Sequence, residues 1–271
     1  MKVIFMDIDG TLCGEDGSVP STAREAIISA RAKGHKVVLC TGRSKPEIIE
    51  SITSIGFDGI VGAGGAFIEI DDKVYLHKTM EADDVHAVES YLIEHGVGYY
   101  LESNDGLFAS DNCVSAITEV VGEAVNDANW FVEILEESLK KEINYENINK
   151  ISFISKDYPY ESVHDHFEDR FEMHHSTVAM FGHNSGELAV KGYTKLTAIN
   201  TVLDVLGVSI SDTYAFGDGE NDIDMFKAVH HGVAMANGKP KLIAMADSIT
   251  PRAEEDGIKL GFEALGLIDT L

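Results

Sequence analysis

A chain of 271 residues exceeds one average domain, and its 44% hydrophobic and 25% charged residues are ordinary for a folded protein. Its formal net charge of −25 leaves no basic footprint for nucleic acid and disfavours an anionic membrane surface. An anionic ligand could enter only where a metal ion or a few fixed cations reverse the local field.

Cys13, Cys40 and Cys113 are scattered without a CxxC pair, so neither a zinc site nor a disulfide framework is indicated. The apolar run before Asp7 is too short for a signal-peptide core, and no stretch approaches membrane-spanning length. The reducing cytoplasm is the expected location. Nothing in the sequence sets an oligomeric state.

Residues Lys2 to Met6 read as a short buried strand running into acidic, glycine-containing sequence. The next segment predicts a helix, with Thr22 and Glu25 as a capping box, Ile27, Ile28 and Ala30 as apolar positions, and Gly34 as terminator. Lys36 to Cys40 is a second strand. A further helix opens at Ser44, with Glu47 three residues later, carries Ile48, Ile49, Ile52 and Ile55, and stops at Gly56. Gly59 to Val61 is a third strand. Continuously apolar strands alternating with helices predict a parallel sheet covered on both faces.

From about Glu81 to Gly186 the pattern changes. A helix carrying Val85, Val88 and Leu92 ends at Gly96. Alternating segments follow at Val97–Leu101, Ile151–Ile154, Val178–Phe181 and Glu187–Val190, which predict antiparallel strands with one wet face. The first pattern then returns, with a helix from Thr194 to Leu206 stopped by Gly207, a strand Thr213–Phe216, a helix Asp222–Val229 and a strand Gly232–Met235. The predicted fold is α/β. A doubly wound, Rossmann-like parallel core spans 1–80 and 187–271, and an α+β domain is inserted over 81–186.

Four polar stretches fall at predicted strand or helix ends. Asp7-Ile8-Asp9-Gly10-Thr11 follows the first strand, at the rim where ligands bind in open α/β sheets. Two carboxylates there are costly unless a cation compensates them, and an oxygen-bound Mg²⁺ would do so. Thr41-Gly42-Arg43 follows the second strand, where a hydroxyl and a glycine amide can hold phosphate oxygens. Thr194 looks like an N-cap, which puts Lys195 in a first helical turn, where an anion would be held by backbone amides and the ammonium together. The last stretch, Gly217-Asp218-Gly219-Glu220-Asn221-Asp222, crowds acids after a strand, and an EF-hand reading fails because Ile223 stands where glycine is required.

Two features look functional and are not read so. Gly62-Ala63-Gly64-Gly65 lacks the GxGxxG spacing and precedes a strand, so it predicts a hairpin turn rather than a dinucleotide fingerprint. The pairs His174-His175 and His230-His231 diverge on any regular backbone and are poor metal ligands.

The order of these motifs resembles the haloacid dehalogenase (HAD)-like hydrolase superfamily, and within it the Cof-type phosphatases with a C2-type cap. Only about 30 residues separate Asp7 from Thr41, whereas about 150 separate Thr41 from Lys195, room for a cap domain. The resemblance implies a Mg²⁺-dependent phosphatase acting on a small phosphorylated metabolite through an aspartyl-phosphate. It makes Asp7 the nucleophile, Asp9 the general acid/base, and Lys195 the stabiliser of the phosphoryl group. Thr41, Gly42 and Arg43 would bind that group, with Asn221 nearby. The metal ligands would be Asp7, Asp9 through its backbone carbonyl, and Asp218, with Asp222 completing their surroundings.

Lys195 is followed by Leu196 where these phosphatases usually carry glycine, which leaves Lys191 as a rival. Gly64-Gly65 replaces the usual Asn-Gly. A phosphomutase or phosphotransferase on the same fold, or a non-catalytic phosphate-binding module, are the alternatives.

Overall fold

A computed structural model of the chain describes residues 1–14, 16–122, 135, 142–176 and 178–270. By internal contacts the chain forms two compact units. One comprises Met1–Arg43, Ile48–Leu76 and Tyr193–Leu271, the other Ser44–Glu47 and His77–Gly192. The sequence placed the divisions at 80/81 and 186/187; the second unit additionally takes in Ser44–Glu47 and residues 77–80 and 187–192.

In chain order the first unit begins with β1 (Val3–Met6), α1 (Ser21–Ala32), β2 (Lys36–Cys40), β3 (Gly59–Gly62), β4 (Phe67–Ile70) and β5 (Lys73–His77), whose last residue is already counted with the second unit. The second unit contains α2 (Ala82–Glu94), β6 (Gly98–Ser103), β7 (Gly106–Ala109), α3 (Cys113–Val121), β8 (Ile148–Ile154), α4 (Tyr160–Phe167), β9 (Phe171–His175) and β10 (Gly186–Val190). The chain then returns through α5 (Lys195–Leu206), β11 (Thr213–Gly217), β12 (His231–Met235), β13 (Ser248–Thr250) and α6 (Gly257–Ala264).

The first unit's sheet has the order β13-β12-β11-β1-β2-β3-β4-β5, parallel from β13 to β3 and antiparallel between β3 and β4. Its strands are apolar throughout because both faces are covered. Ile4, Met6, Val37 and Leu39 pack with Ala26, Ile27, Ile258 and Phe262 of α1 and α6. The intervening Val3, Phe5, Val38 and Cys40 pack with Ala198, Ile199 and Val202 of α5. Each such aliphatic side chain contributes about 1.5–3 kcal/mol when fully buried. From β1 the chain runs outward to β2 and β3, and its return adds β11 on the other flank. The strand order therefore reverses beside β1, where α/β sheets open a crevice for ligands.

Several local expectations need correction. The Thr22–Glu25 capping box does not form. α1 starts at Ser21 behind Pro20, so Thr22 lies inside the first turn and its hydroxyl instead donates to Asp256 Oδ1 at 2.7 Å. Ile28 points outward, 51% exposed. The helix expected from Ser44 is broken into a 3₁₀ turn at Lys45–Glu47 and a single α turn at Glu50–Thr53. Pro46 disfavours the α conformation of the residue before it, and Glu47 folds back to accept from the Ser44 amide and hydroxyl at 2.8 and 2.9 Å. The helix read over Asp222–Val229 shrinks to Ile223–Lys227 behind a 3₁₀ turn.

The second unit's sheet, β7-β6-β8-β10-β9, is antiparallel throughout. Val178–Phe181 is not one of its strands but a 3₁₀ turn at Ala179–Phe181. The strand beside β10 is β9, whose sequence FEMHH carries too little apolar alternation to announce itself. One face buries Leu101, Ile151, Phe153 and Leu188 against Val85, Val88, Val163 and Phe167 of α2 and α4.

The opposite face was expected to be wet. It is polar but buried. Register places Glu102 opposite Lys150, and both Tyr100 and Glu187 opposite Ser152. Lys150 Nζ lies 3.1 Å from Glu102 and 3.5 Å from Glu187, and the Ser152 hydroxyl donates to Glu102 at 2.7 Å. All three cysteines are buried and unpaired. No helix among the described residues is long and apolar enough to cross a membrane.

Candidate active site

Three neighbouring strands, β11, β1 and β2, deliver polar residues at the same edge. Asp7 follows β1, Thr41 follows β2 and Asp218 follows β11. The ladder continues one residue past two of these strands, because the Asp7 amide donates to Phe216 O at 3.0 Å and the Thr41 amide to Val61 O at 2.9 Å. Both residues are thereby fixed as firmly as the sheet itself.

Gly10 has φ +76 and lies against the Asp218 carboxylate, which any Cβ at this position would strike. The loop after β1 needs glycine for both reasons. The buried Thr11 hydroxyl donates to Asp218 Oδ1 at 3.1 Å. The two acidic loops are therefore joined directly.

Lys195 is the first residue of α5. Thr194 caps that helix, accepting from the Thr197 amide while its own amide donates to Thr197 Oγ1 at 3.0 Å. The Lys195 ammonium lies 2.7 Å from Asp7 Oδ1 and 2.6 Å from Asp222 Oδ1, and all three residues are buried. Asp222 uses its other oxygen to accept from the amides of Asp218 and Gly219, each at 2.9 Å. Its carboxylate thus orients the lysine and pins the β11 loop at once. Lys191 donates instead to the carbonyls of Glu168 and Asp169 within the second unit. Of the two rival lysines, Lys195 is the one beside Asp7.

Asp9 is more open, and its carboxylate is gripped by Arg43 through Nε at 3.0 Å and Nη2 at 2.6 Å. The Arg43 amide donates to Thr41 Oγ1 at 3.1 Å. A Cβ added at Gly42 would meet no heavy atom of the described residues within 4 Å beyond its chain neighbours. Asn221 is exposed, with its side-chain oxygen close over Gly219.

Burial alone would lower the Lys195 pKa, but Asp222 and Asp7 outweigh it and keep the ammonium charged. Burial, and then the Asp222 charge, push the Asp7 carboxyl well above the usual range, with Lys195 opposing. Burial and Asp222 also raise Asp218, to about 6, against the Thr11 hydrogen bond. Carboxylates outnumber ammonium groups here, so an ionised Asp7 calls for further positive charge.

Asp7, Asp218 and Asp222 each offer an oxygen, all within 4.8 Å of one another, a hard-oxygen set suited to a small divalent cation. The Asp9 side chain is outside this set. The other such cluster among the described residues, His164, Asp165 and Glu168, is more open and lies along α4 and its C-terminal end. Among the described residues, neither adjacent histidine pair belongs to a cluster of this kind.

The sequence missed Asn237. Its side-chain amide donates to Gly10 O at 2.9 Å and to Asp218 Oδ2 at 3.2 Å. The available signal was an Asn-Gly turn directly after the apolar β12, on the same rim. Gly62–Gly65 does turn β3 into β4, as expected, and Gly65 abuts the backbone of Thr194.

The chain as a whole has relatives among known proteins. The sequence profile of the haloacid dehalogenase-like hydrolases matches residues 4–260. The chain belongs to that family.

Among HAD-like relatives, the Bacillus subtilis (strain 168) 5-amino-6-(5-phospho-D-ribitylamino)uracil phosphatase YwtE is 24% identical over 281 residues, covering 95% of this chain and 96% of YwtE. A longer Streptococcus pyogenes protein, whose name proposes both a phosphatase and a peptidyl-prolyl cis-trans isomerase, is 26% identical over 272 residues. That match takes in 99% of this chain but only 55% of the streptococcal one. The HAD subclass IIB sugar phosphatase BT4131 shares the fold at a TM-score of 0.75 and 24% identity, covering 99% of this chain and 100% of that one.

Proposed function

We propose that the chain is a Mg²⁺-dependent phosphatase of a small phosphorylated metabolite, a sugar phosphate or a phosphorylated cofactor, with Asp7 as nucleophile. The observation that carries this reading is the contact of Lys195 with Asp7 and Asp222, beside Asp218. An ordinary surface would not bury two carboxylates around one ammonium with a third, half-buried carboxylate beside them. The family relatives named for sugar and ribitylamino-uracil phosphates support the substrate class. The net charge of −25 speaks against nucleic acid as a partner.

Asp7 and Asp218 would hold the cation, with the Asp9 backbone carbonyl and, through the loop it pins, Asp222. When bound, Mg²⁺ supplies the positive charge that neutralises the buried carboxylates and the phosphoryl oxygens.

An Asp7 oxygen attacks phosphorus in line, and the bond from phosphorus to the leaving oxygen breaks. Asp9 gives that oxygen its proton. Water then attacks the aspartyl-phosphate, Asp9 takes the water's proton, and the bond between phosphorus and Asp7 breaks to restore the carboxylate. Lys195, the Thr41 hydroxyl, the Gly42 amide and Arg43 surround the phosphoryl oxygens, with Asn221 at the edge. Preorganised donors of this kind cost nothing to reorganise during reaction. The second unit would act as a cap that chooses the leaving group.

The test is phosphate release from a panel of phosphate esters with Mg²⁺ and then with chelator. Release that stops with chelator and with Asp7→Asn is expected. No release from any ester, or full turnover by the Asn variant, sinks the reading. A requirement for a sugar bisphosphate without free phosphate would point to a mutase.

A further inference from the structure

We infer that Asn237 is a positioning residue for the cation, tying the Asp218 carboxylate to the loop after β1 and offering its own oxygen to a water on the ion. The inference rests on the Mg²⁺-dependent reading and extends it to a third loop, the one after β12.

The amide nitrogen of Asn237 spans two acceptors on different loops, Gly10 O at 2.9 Å and Asp218 Oδ2 at 3.2 Å. Both partners are oxygens that only accept, so the amide has one usable orientation. Turned over, it would set its carbonyl against both of them. With Thr11 donating to Asp218 Oδ1, each oxygen of that carboxylate is held by one neutral donor. A carboxylate oxygen can take more than one partner, so both oxygens stay competent to bind a cation while losing freedom to rotate.

The turn that carries Asn237 is itself tethered to the site. The Gly238 amide donates to Met235 O at 2.8 Å, and the Lys239 amide to Asp218 O at 2.8 Å. Asn237 therefore moves with the Asp218 loop rather than independently of it.

The remaining oxygen of the same amide is buried with no hydrogen-bond partner among the described residues. A buried acceptor without a donor is costly. This one sits beside a carboxylate set suited to a hard cation that usually keeps several waters, and such waters point hydrogens outward. A cation-held water is the donor whose chemistry matches the position.

The test is Mg²⁺ binding to the substrate-free protein, by titration calorimetry on wild type, Asn237→Ala and Asn237→Ser, with circular dichroism as the check of folding. We expect Asn237→Ala to weaken Mg²⁺ affinity by about 10- to 100-fold and to leave most of kcat recoverable at high Mg²⁺. Asn237→Ser, which keeps one donor, should fall between and carries the test if the alanine variant does not fold. If both folded variants bind Mg²⁺ as wild type does, the role assigned to Asn237 is overturned, even where metal-free stability drops. Wild-type protein that takes up no Mg²⁺ overturns the functional reading itself, an outcome distinct from the first.

Discussion

Asp9 and Arg43 grip each other through two hydrogen bonds, at 3.0 and 2.6 Å, joining the loop after β1 to the loop after β2. The Asp9 side chain is 58% exposed, so the pair contributes little to stability, about 0–1 kcal/mol. Its weight is in the chemistry. In the proposed mechanism Asp9 would have to leave this grip to reach the leaving oxygen, and the arriving phosphoryl group would be the anion that takes its place on Arg43. Arg43→Ala should therefore lower kcat/KM by roughly tenfold or more, the value of one charge-assisted hydrogen bond, with a melting temperature close to wild type. A variant whose kcat/KM is unchanged would show that Arg43 does not meet the substrate.

Lys195 is 3% exposed between two carboxylates. Lys195→Met strands those charges, and a loss of about 3–5 kcal/mol is expected for the metal-free protein, together with loss of turnover. Lys191→Met removes contacts to two backbone carbonyls only and should leave turnover unchanged. Denaturant titration and phosphate release on both variants settle which lysine serves the site. The reverse outcome would reassign it.

If Asp218 is a ligand as proposed, protons and the cation compete for it. Its carboxyl is raised to about 6, mainly by burial and then by Asp222. Between its ordinary range and about 6 the folded chain holds a proton that the unfolded chain releases. This contribution therefore favours folding at low pH and is lost as pH rises through about 6. Added Mg²⁺ reverses the trend, because the ionised carboxylate is the form it binds. Melting temperatures from pH 4 to 8 should separate with and without Mg²⁺ above about pH 6 and converge below it. Parallel curves would mean that Asp218 is not a ligand.

In the second unit, Lys150 is the buried cation facing Glu102 and Glu187. Burial first, then Glu47, push the Glu102 carboxyl well above its usual range, while Lys150 opposes. Lys150→Met should cost about 3–5 kcal/mol. Glu102→Gln should cost less, since burial already opposes the charged form of this carboxyl. Equal losses in denaturant melts would contradict that account.

The first unit was legible because its signals are local. Continuous apolar strands, Gly34, Gly56 and Gly207 after their helices, and the Thr194 cap can each be read from a few neighbouring residues. Asp7, Lys195 and Asp218 were legible because each follows a strand or opens a helix at an end the pattern makes plain. What escaped depends on partners far away in the chain. Thr22 bonds to Asp256, 234 residues on, which no capping rule anticipates. Asn237 bonds to Gly10, 227 residues distant. The strand β9 is half polar because its neighbour β10, rather than its own composition, supplies its place.

The glycine turn between β3 and β4 lacks the spacing of a nucleotide fingerprint but touches the site from outside it. Gly65, at φ +121, rests directly on the main chain of Thr194. A single methyl group there would act as a wedge under the start of α5, tilting the ammonium of a residue 130 positions away off its carboxylates. Loss of catalysis from so small and remote a change would look like a defect of the active site while every polar group in it remained in place.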